Sequence, residues 1–191
     1  VHPINTFSYL GSHTSLCGES TPCAELFFSE YIEGSSNNKG LEIYNPTGSA
    51  INLTGYTIVE KFSTTTPAAT FALSGTIPAN GTYVIVTTQA DPAMLAIADT
   101  ALAYPSVVHF NGNDALGLLN SNGDTIDVIG DFATAAGSNF TVGNGSMQDY
   151  TLVRKDSVNA GTKDWNLGQT QWVVHPINTF SYLGSHTSLC G

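Results

Sequence analysis

Charged residues are scarce in this chain, and basic residues are the scarcest. The 191 residues include five Lys and Arg against fifteen Asp and Glu, which gives a formal net charge of −10 at pH 7. Charged residues make up 10% of the sequence, whereas ordinary soluble domains contain about 25%. Nucleic-acid binding needs clustered Lys and Arg, and we therefore expect no nucleic-acid partner. The basic residues are scattered over the sequence at Lys39, Lys61, Arg154, Lys155 and Lys163.

Long apolar runs and enzymatic motifs are lacking as well. No stretch approaches the ~20 apolar residues of a membrane helix, so we expect no membrane insertion. The sequence has no G-x-S-x-G nucleophile elbow, no Cys/His zinc spacing and no phosphate-binding glycine loop. His109 is the only histidine outside the repeated ends described below, and we interpret it as structural. We expect no enzymatic activity and no cofactor, and the acidic, lysine-poor composition indicates a secreted, extracellular or cell-surface protein.

The two ends of the chain carry the same sequence. Val1–Gly18 is repeated without change as Val174–Gly191, and the segment contains no Asp, Glu, Lys or Arg. Divergent repeats accumulate differences, so an identical pair has two explanations. Either the chain shows one full 173-residue period of a nearly perfect tandem array or polymer, cut so that the tail of one unit precedes the whole of the next, or a terminal segment was duplicated by engineering. Both explanations make the connection between units the central question.

The odd number of cysteines follows from this repeat. Cys190 is the second copy of Cys17, so each period holds two cysteines, Cys17 and Cys23, spaced C-x5-C. In a secreted chain we expect a Cys17–Cys23 disulfide at the junction between units, and Cys190 would pair with the next unit's equivalent of Cys23. Unpaired thiols in a reducing compartment are the alternative.

Strand-like runs alternate with turn signals almost throughout the chain. About nine short strands, separated by turns at intervals of 8–15 residues, predict an all-β immunoglobulin-like β-sandwich. The pattern includes a hairpin of Ala115–Leu119 with Thr125–Ile129 and a short late strand at Thr179–Leu183. Asp91–Asp99 is typical of one short helix, because Asp91 is a natural N-cap and Pro92 suits the first helical position.

The chain contains a series of motifs: Leu26–Asn45, Leu53–Tyr56, Ile77–Val86, Phe110–Leu116, Asn122–Gly130, Leu152–Lys155, Trp165, Gln171–Trp172 and Asn178–Thr187. These motifs resemble those of the lamin-tail domains of secreted bacterial proteins, and the resemblance covers Glu25 to Thr187. The resemblance implies the immunoglobulin-like sandwich and a non-catalytic structural or binding role. It also implies that the C-terminal copy holds the domain's closing stretch. Residues 1–23 are then the end of a preceding unit plus a connector, 24–188 the domain, and 189–191 the start of the next connector.

Two acidic sets are candidate cation sites. Glu30, Glu33 and Glu42 form an acidic cluster, and Glu30 and Glu42 could lie close together beside the Asn37–Asn38 loop if their strands pair. Carboxylate and amide oxygens suit Ca²⁺. Hydrogen bonding to loop amides or pairing with Lys39 is the alternative. The second set lacks the spacing of a Ca²⁺-binding loop, and turn formation explains most of it. It comprises Asp114, Asp124, Asp127 and Asp131.

The repeat also directs the functional hypothesis. A sandwich has one place for its closing strand, and we expect the C-terminal copy to fill it while the N-terminal copy contacts a neighbouring unit. The residues expected at that contact are apolar or aromatic members of the two copies: Ile4, Phe7, Tyr9, Leu10, Phe180 and Tyr182.

This predicts a structural repeat unit of a bacterial surface fibre, whose partners are copies of itself joined head to tail. The alternatives are an accessory substrate- or surface-binding module of a secreted hydrolase or nuclease, and a Ca²⁺-stabilised adhesin repeat.

Overall fold

Two β-sheets packed face to face form the described part of the chain, which in this computed structural model comprises residues 23, 25–61, 69–132 and 139–189. The first sheet has six strands: β1 (Phe27–Glu33), β2 (Lys39–Tyr44), β7 (Thr82–Thr87), β8 (Thr100–Leu102), β13 (Tyr150–Arg154) and β14 (Trp172–Pro176). Their spatial order is β14-β13-β1-β2-β7-β8, and only the β7–β8 pair is parallel.

The second sheet has four antiparallel strands in the order β10-β9-β4-β5. They are β4 (Thr57–Lys61), β5 (Ala69–Ala72), β9 (Ala115–Leu119) and β10 (Thr125–Ile129). Two ribbons complete the strands of the described residues, one of β3 (Ile51–Asn52) with β6 (Thr76–Ile77) and one of β11 (Thr141–Val142) with β12 (Gly145–Ser146).

The helices of the described residues are short. The helix predicted near Asp91 is α1 (Pro92–Leu95), and the Asp91 side chain accepts a hydrogen bond from the Ala93 amide as an N-cap does. A second helix, α2 (Trp165–Gly168), was not predicted. A single 3₁₀ turn follows it immediately and leads into β14.

The main core lies between the two sheets. Alternate residues of the six-stranded sheet, such as Tyr31 and Ile85, meet Ile58 and Leu118 of the four-stranded sheet in one buried cluster. This alternation is what a half-buried strand requires. The expected all-β sandwich is therefore confirmed.

One buried ion pair ties the two sheets together. Arg154 of β13 and Asp127 of β10 form a salt bridge, and both side chains are fully inaccessible to solvent. The Arg154 Nε donates to the carbonyl of Phe28 over 2.9 Å, and its guanidinium lies 4.1 Å from the ring centre of Trp172. Asp127 also accepts from the amides of Phe28 and Thr162, both at 2.9 Å. The pair therefore joins strands of both sheets.

We expect removal of Asp127 to destabilise the sandwich strongly. Asp127→Ala leaves the Arg154 guanidinium buried without its counter-charge, which costs roughly 3–5 kcal/mol of the free energy of unfolding. Urea denaturation at pH 7 measures the change. Asp124→Ala, at an exposed position of the same hairpin, is the matched control and should stay within about 0.5 kcal/mol of wild type. Equal losses in the two variants would contradict a central role for the pair.

Candidate functional site

Most of the C-terminal copy of the repeated segment lies across the sandwich instead of extending a sheet. Its first residues, 174–176, belong to β14, which pairs with β13. The strand predicted at Thr179–Leu183 is wrong, because residues 181–184 form turns. Pro176 ends the extended run, and Asn178 and Gly184 have φ values of +61° and +95°, which no strand accommodates. We call residues 177–189 the closing segment.

The closing segment covers the outer face of the six-stranded sheet. Along β7, Tyr83 and Ile85 belong to the core between the sheets, whereas Val84 and Val86 belong to a separate cluster with Ile32. Successive residues of a strand point to opposite faces. The second cluster therefore marks the face directed away from the four-stranded sheet, and we call this covered surface the groove.

At one end of the groove, Asn178 binds the β1–β2 loop. Its side-chain oxygen accepts from the Ser35 amide over 3.0 Å, and its Nδ2 donates to Ser35 Oγ over 2.9 Å. The side-chain amide of Asn38 donates to the same Asn178 oxygen over 3.3 Å. Gly34 makes this approach possible, because a Cβ there would lie 2.5 Å from that oxygen.

Next along the segment, apolar side chains fill the groove. Leu183 is buried against the cluster that contains Ile32 and Val84, and Phe180 packs against the same cluster. Met94 of α1 closes it from the side and is fully buried. The α1 helix and the closing segment therefore both cover this half of the outer face of the six-stranded sheet.

Two carboxyl groups lie at the centre of the groove. Glu30 and Glu42 are register partners on β1 and β2, and both are 1% exposed. Glu42 accepts from Ser29 Oγ and from the Gly184 amide, each over 2.6 Å. Neither oxygen of Glu30 has a hydrogen-bond partner within the described part of the chain. The domain therefore holds the closing segment's Gly184 turn through the Glu42 carboxyl.

Burial disfavours ionisation of the Glu30 and Glu42 carboxyl groups. It raises the pKa of Glu30 to about 9, and the neighbouring Glu42 adds to that rise. Burial also raises the pKa of Glu42 to about 7, although the hydrogen bonds from Ser29 and Gly184 oppose the rise. At neutral pH Glu30 is thus protonated, which is the form that a carboxyl group without a partner cation prefers in an apolar place.

At the far end of the groove, His186 fits against two aromatic rings. Its ring meets Tyr44 edge-on with centroids 4.9 Å apart, and Phe27 at 5.9 Å. Burial lowers the pKa of His186 to about 4, with the nearby Arg154 charge adding to the effect. Beyond it, Ser188 Oγ donates to the Val158 carbonyl over 2.7 Å and the Leu189 amide donates to Asp156 over 2.8 Å.

The structure separates the three predicted calcium ligands. Glu30 and Glu42 are adjacent, whereas Glu33 pairs with Lys39 and accepts from the Asp149 amide over 2.5 Å. The alternative interpretation, pairing with Lys39 and hydrogen bonding to amides, thus describes Glu33. Within residues 23, 25–61, 69–132 and 139–189, no group of three or more His, Cys, Asp and Glu could hold a metal ion. Calcium binding stays an untested prediction.

Two of the six residues expected at the inter-unit contact, Phe180 and Tyr182, lie in the described part of the chain. Of the expected inter-unit contacts, Phe180 lies in the groove, whereas the side chain of Tyr182 is 42% exposed and packs on His175. Cys23 is described, but the N-terminal copy lies outside the described residues. Its predicted members are Ile4, Phe7, Tyr9, Leu10 and Cys17.

The remaining candidates have structural contacts. Asp127 is the buried partner of Arg154, and Asp114 accepts from the Asn111 amide of its own turn. His109 Nδ1 lies 2.8 Å from Ser106 Oγ, and its ring packs against Tyr104. No helix of the described residues is long and apolar enough to cross a membrane.

A sandwich of two largely antiparallel sheets, with a groove on its outer face that holds the chain's own closing segment, is the class of protein that these observations define. The sequence profile described as Lamin Tail Domain matches residues 19–133, and the chain belongs to this family of non-enzymatic, immunoglobulin-like modules. No curated protein matches the sequence. Strands β13 and β14 lie beyond the matched residues but belong to the same sheet as β1.

We expect the sandwich to lose stability as pH rises from 6 to 9. The folded-state pKa values of Glu30 and Glu42 lie above the ordinary glutamate value of 4.5. Their contribution is therefore complete below about pH 4.5 and falls as pH rises through about 7 and 9. Burial also raises the pKa of Glu60 to about 8, which contributes to the same loss.

The contribution of Glu30 to this loss of stability can be isolated with Glu30→Gln, because the Gln side chain resembles the protonated carboxyl group. The urea midpoint should fall less between pH 6 and pH 9 in this variant than in wild type, and the two proteins should be most similar near pH 4, where Glu30 is protonated in both the folded and the unfolded chain. Asp124→Asn, an exposed change, should keep the wild-type pH dependence. An unchanged difference between pH 6 and pH 9 in Glu30→Gln would show that this carboxyl group is not the source.

Proposed function

We propose that the chain is a structural module that joins copies of itself head to tail, with residues 1–18 of one copy occupying the groove of the next. The main observation in support of this proposal is the way the groove binds the closing segment. Every group that the groove contacts between residues 178 and 189 recurs, without change, between residues 5 and 16. A surface that binds one copy of this sequence has the same chemistry for the other.

The contacts of the groove are specific to this sequence. The loop after β1 binds an Asn side chain, the apolar cluster receives a Leu, and the Glu42 carboxyl binds a backbone amide at a Gly with positive φ. The corresponding residues of the N-terminal copy are Asn5, Leu10 and Gly11. An extended apolar groove with a few placed polar groups is a common way to recognise a peptide segment.

Each chain has two copies of the segment and one groove. The copy that does not occupy the groove of its own domain is available to a second domain, and repetition of that contact is heterologous. Heterologous contacts propagate into filaments unless they close into a ring. The absence of charged residues in the segment supports burial at such a contact, because burying an unpaired charge is costly.

We further propose that the module works outside the cell, within a fibre or an array of 173-residue units. The net charge of −10 with only five basic residues supports this location. The domain of such a unit runs over residues 24–188, since β1 begins at Phe27 and Ser188 still bonds the domain through Val158.

Because the segment is duplicated, the same substitution made in each of its two copies gives a matched pair of full-length variants. Leu10→Asp alters the N-terminal copy, and Leu183→Asp makes the equivalent change in the closing segment. An unpaired carboxylate in the apolar cluster costs several kcal/mol, which weakens binding of the altered copy by more than roughly 100-fold. Leu10→Asp should therefore abolish assembly with unchanged stability, as should deletion of residues 1–18. Leu183→Asp should increase assembly.

Sedimentation velocity measures the size distribution, and negative-stain microscopy shows whether the species are linear. The double variant should be monomeric, because neither copy can then fill a groove. If Leu10→Asp leaves the size distribution of wild type unaltered, the N-terminal copy is not the connector. If Leu183→Asp is monomeric at all concentrations, residues 1–18 fold back on their own domain and the head-to-tail proposal is wrong.

A further inference from the structure

A second pair of buried carboxyl groups lies in the core between the sheets, where β4 ends and β9 begins. Glu60 and Asp114 are 2% and 3% exposed. Glu60 is the register partner of Leu116, and Asp114 precedes Leu116 by two residues. Residues two apart along extended chain share a face, so Asp114 lies diagonally opposite Glu60 and within reach of its side chain. This pair is separate from the groove, which lies on the other face of the six-stranded sheet.

The hydroxyl group of Tyr31 lies beside this pair. The Tyr31 side chain is fully buried, and its ring stacks on Phe110 with centroids 4.4 Å apart. Phe110 immediately precedes the turn that contains Asp114. Burial raises the pKa of Tyr31 well above its ordinary value of 10, and the charges of Asp114 and Glu60 add to that rise. The Gly112 backbone lies near the hydroxyl group and opposes the rise, but the two form no hydrogen bond.

Three buried oxygen atoms in this part of the molecule lack hydrogen bonds. They are Glu60 Oε1, the Tyr31 hydroxyl oxygen and Asn113 Oδ1, and none has a partner within the described part of the chain. Asn113 directly precedes Asp114 in the same turn. Buried polar groups are nearly always hydrogen-bonded, and each exception calls for an explanation such as a bound ion. The unpartnered oxygen atoms therefore point to a ligand that oxygen binds.

No basic side chain neutralises the two carboxyl groups. Among the described residues, which include all five Lys and Arg, neither Glu60 nor Asp114 takes part in a salt bridge. Lys61 is next to Glu60 in sequence, but its Nζ donates to the Phe132 carbonyl over 3.3 Å. Burial raises the pKa of Glu60 to about 8, and the Asp114 charge adds to the rise. The missing counter-charge is therefore positive.

We propose that Glu60 and Asp114 bind one Ca²⁺ ion, with the Tyr31 hydroxyl and the Asn113 side-chain oxygen as further ligands. Ca²⁺ takes about six to eight oxygen ligands from carboxylates, carbonyl groups and water. The four side chains offer oxygen atoms, and two carboxylates match the charge of the ion. Mg²⁺ fits less well, because it demands near-ideal octahedral geometry at short distances.

The ion would connect the two sheets. Tyr31 belongs to β1 of the six-stranded sheet, whereas Glu60 belongs to β4 of the four-stranded sheet. A ligand that binds the folded chain alone stabilises it by mass action. The site therefore adds a cross-link between the sheets at a place where the chain itself supplies only unpaired polar groups. This inference does not depend on head-to-tail assembly.

Thermal unfolding of the full-length chain at pH 7.5, in EDTA and in about 10 mM CaCl₂, tests the site. Extracellular calcium sites have Kd values of roughly 0.1–1 mM, so Ca²⁺ should raise the Tm of wild type by about 5 °C. Glu60→Gln should have the wild-type Tm in EDTA, because Gln resembles the protonated carboxyl group. Its rise in CaCl₂ should be below about 1 °C. Tyr31→Phe should weaken Ca²⁺ binding about 10-fold in isothermal titration calorimetry.

Glu30→Gln is the matched control, because Glu30 is an equally buried carboxyl group whose oxygen atoms also lack partners among the described residues. It should keep the full response to CaCl₂. Loss of the response in Glu30→Gln but not in Glu60→Gln would place the ion in the groove and overturn the proposal. An unchanged Tm of wild type in CaCl₂ would overturn it too. So would equal rises with MgCl₂ in wild type and Glu60→Gln, which identify non-specific screening of the net charge of −10.

Discussion

The buried pairing of Arg154 with Asp127 is the interaction on which the rest of the structure depends. Two fully buried charges are tolerated only where their hydrogen-bonding capacity is met, and here it is met by groups from several strands. Arg154 reaches the Phe28 carbonyl and Gln171, while Asp127 receives the amides of Phe28 and Thr162. These bonds hold the start of β1 and the residue before β14 relative to the second sheet. The position of β14 determines in turn where the closing segment begins.

The second constraint is that β1 and β2 are buried on both faces, although the four-stranded sheet packs against only one of them. All seven residues of β1 are buried. The face toward the second sheet is covered by the core, and the other face is covered by α1 and the closing segment. Glu30 and Glu42 lie beneath that cover, so the segment shields carboxyl groups as well as apolar side chains. The C-terminal copy of the repeated sequence is thus part of the domain's packing, which explains why its contacts are specific.

The strands in which apolar and polar residues alternate clearly were predictable from the sequence. The segment between Asn178 and Gly184, which both have positive φ, was not. The hairpin of β9 and β10 was predicted with the bounds that the structure has, because Asn and Gly residues mark its turn. Thr179–Leu183 alternates in the same way, but Asn178 and Gly184 adopt positive φ and bend it onto the groove. The two-residue strands were missed because they are shorter than any periodicity can reveal. Arg154–Asp127 was missed because 27 residues separate the partners, and only the packing of the sheets brings them together.

The direct passage from β14 into the closing segment has a consequence for concentration dependence. A tethered segment meets its own groove at an effective concentration in the millimolar range, whereas a segment on another chain competes at its bulk concentration. In dilute solution the tethered copy therefore occupies the groove, even though the two sequences are identical. The balance changes when chains are crowded or held in line, as in a continuous polymer, where the neighbour is tethered too. In the proposed head-to-tail assembly, this competition disfavours association of free chains at low concentration.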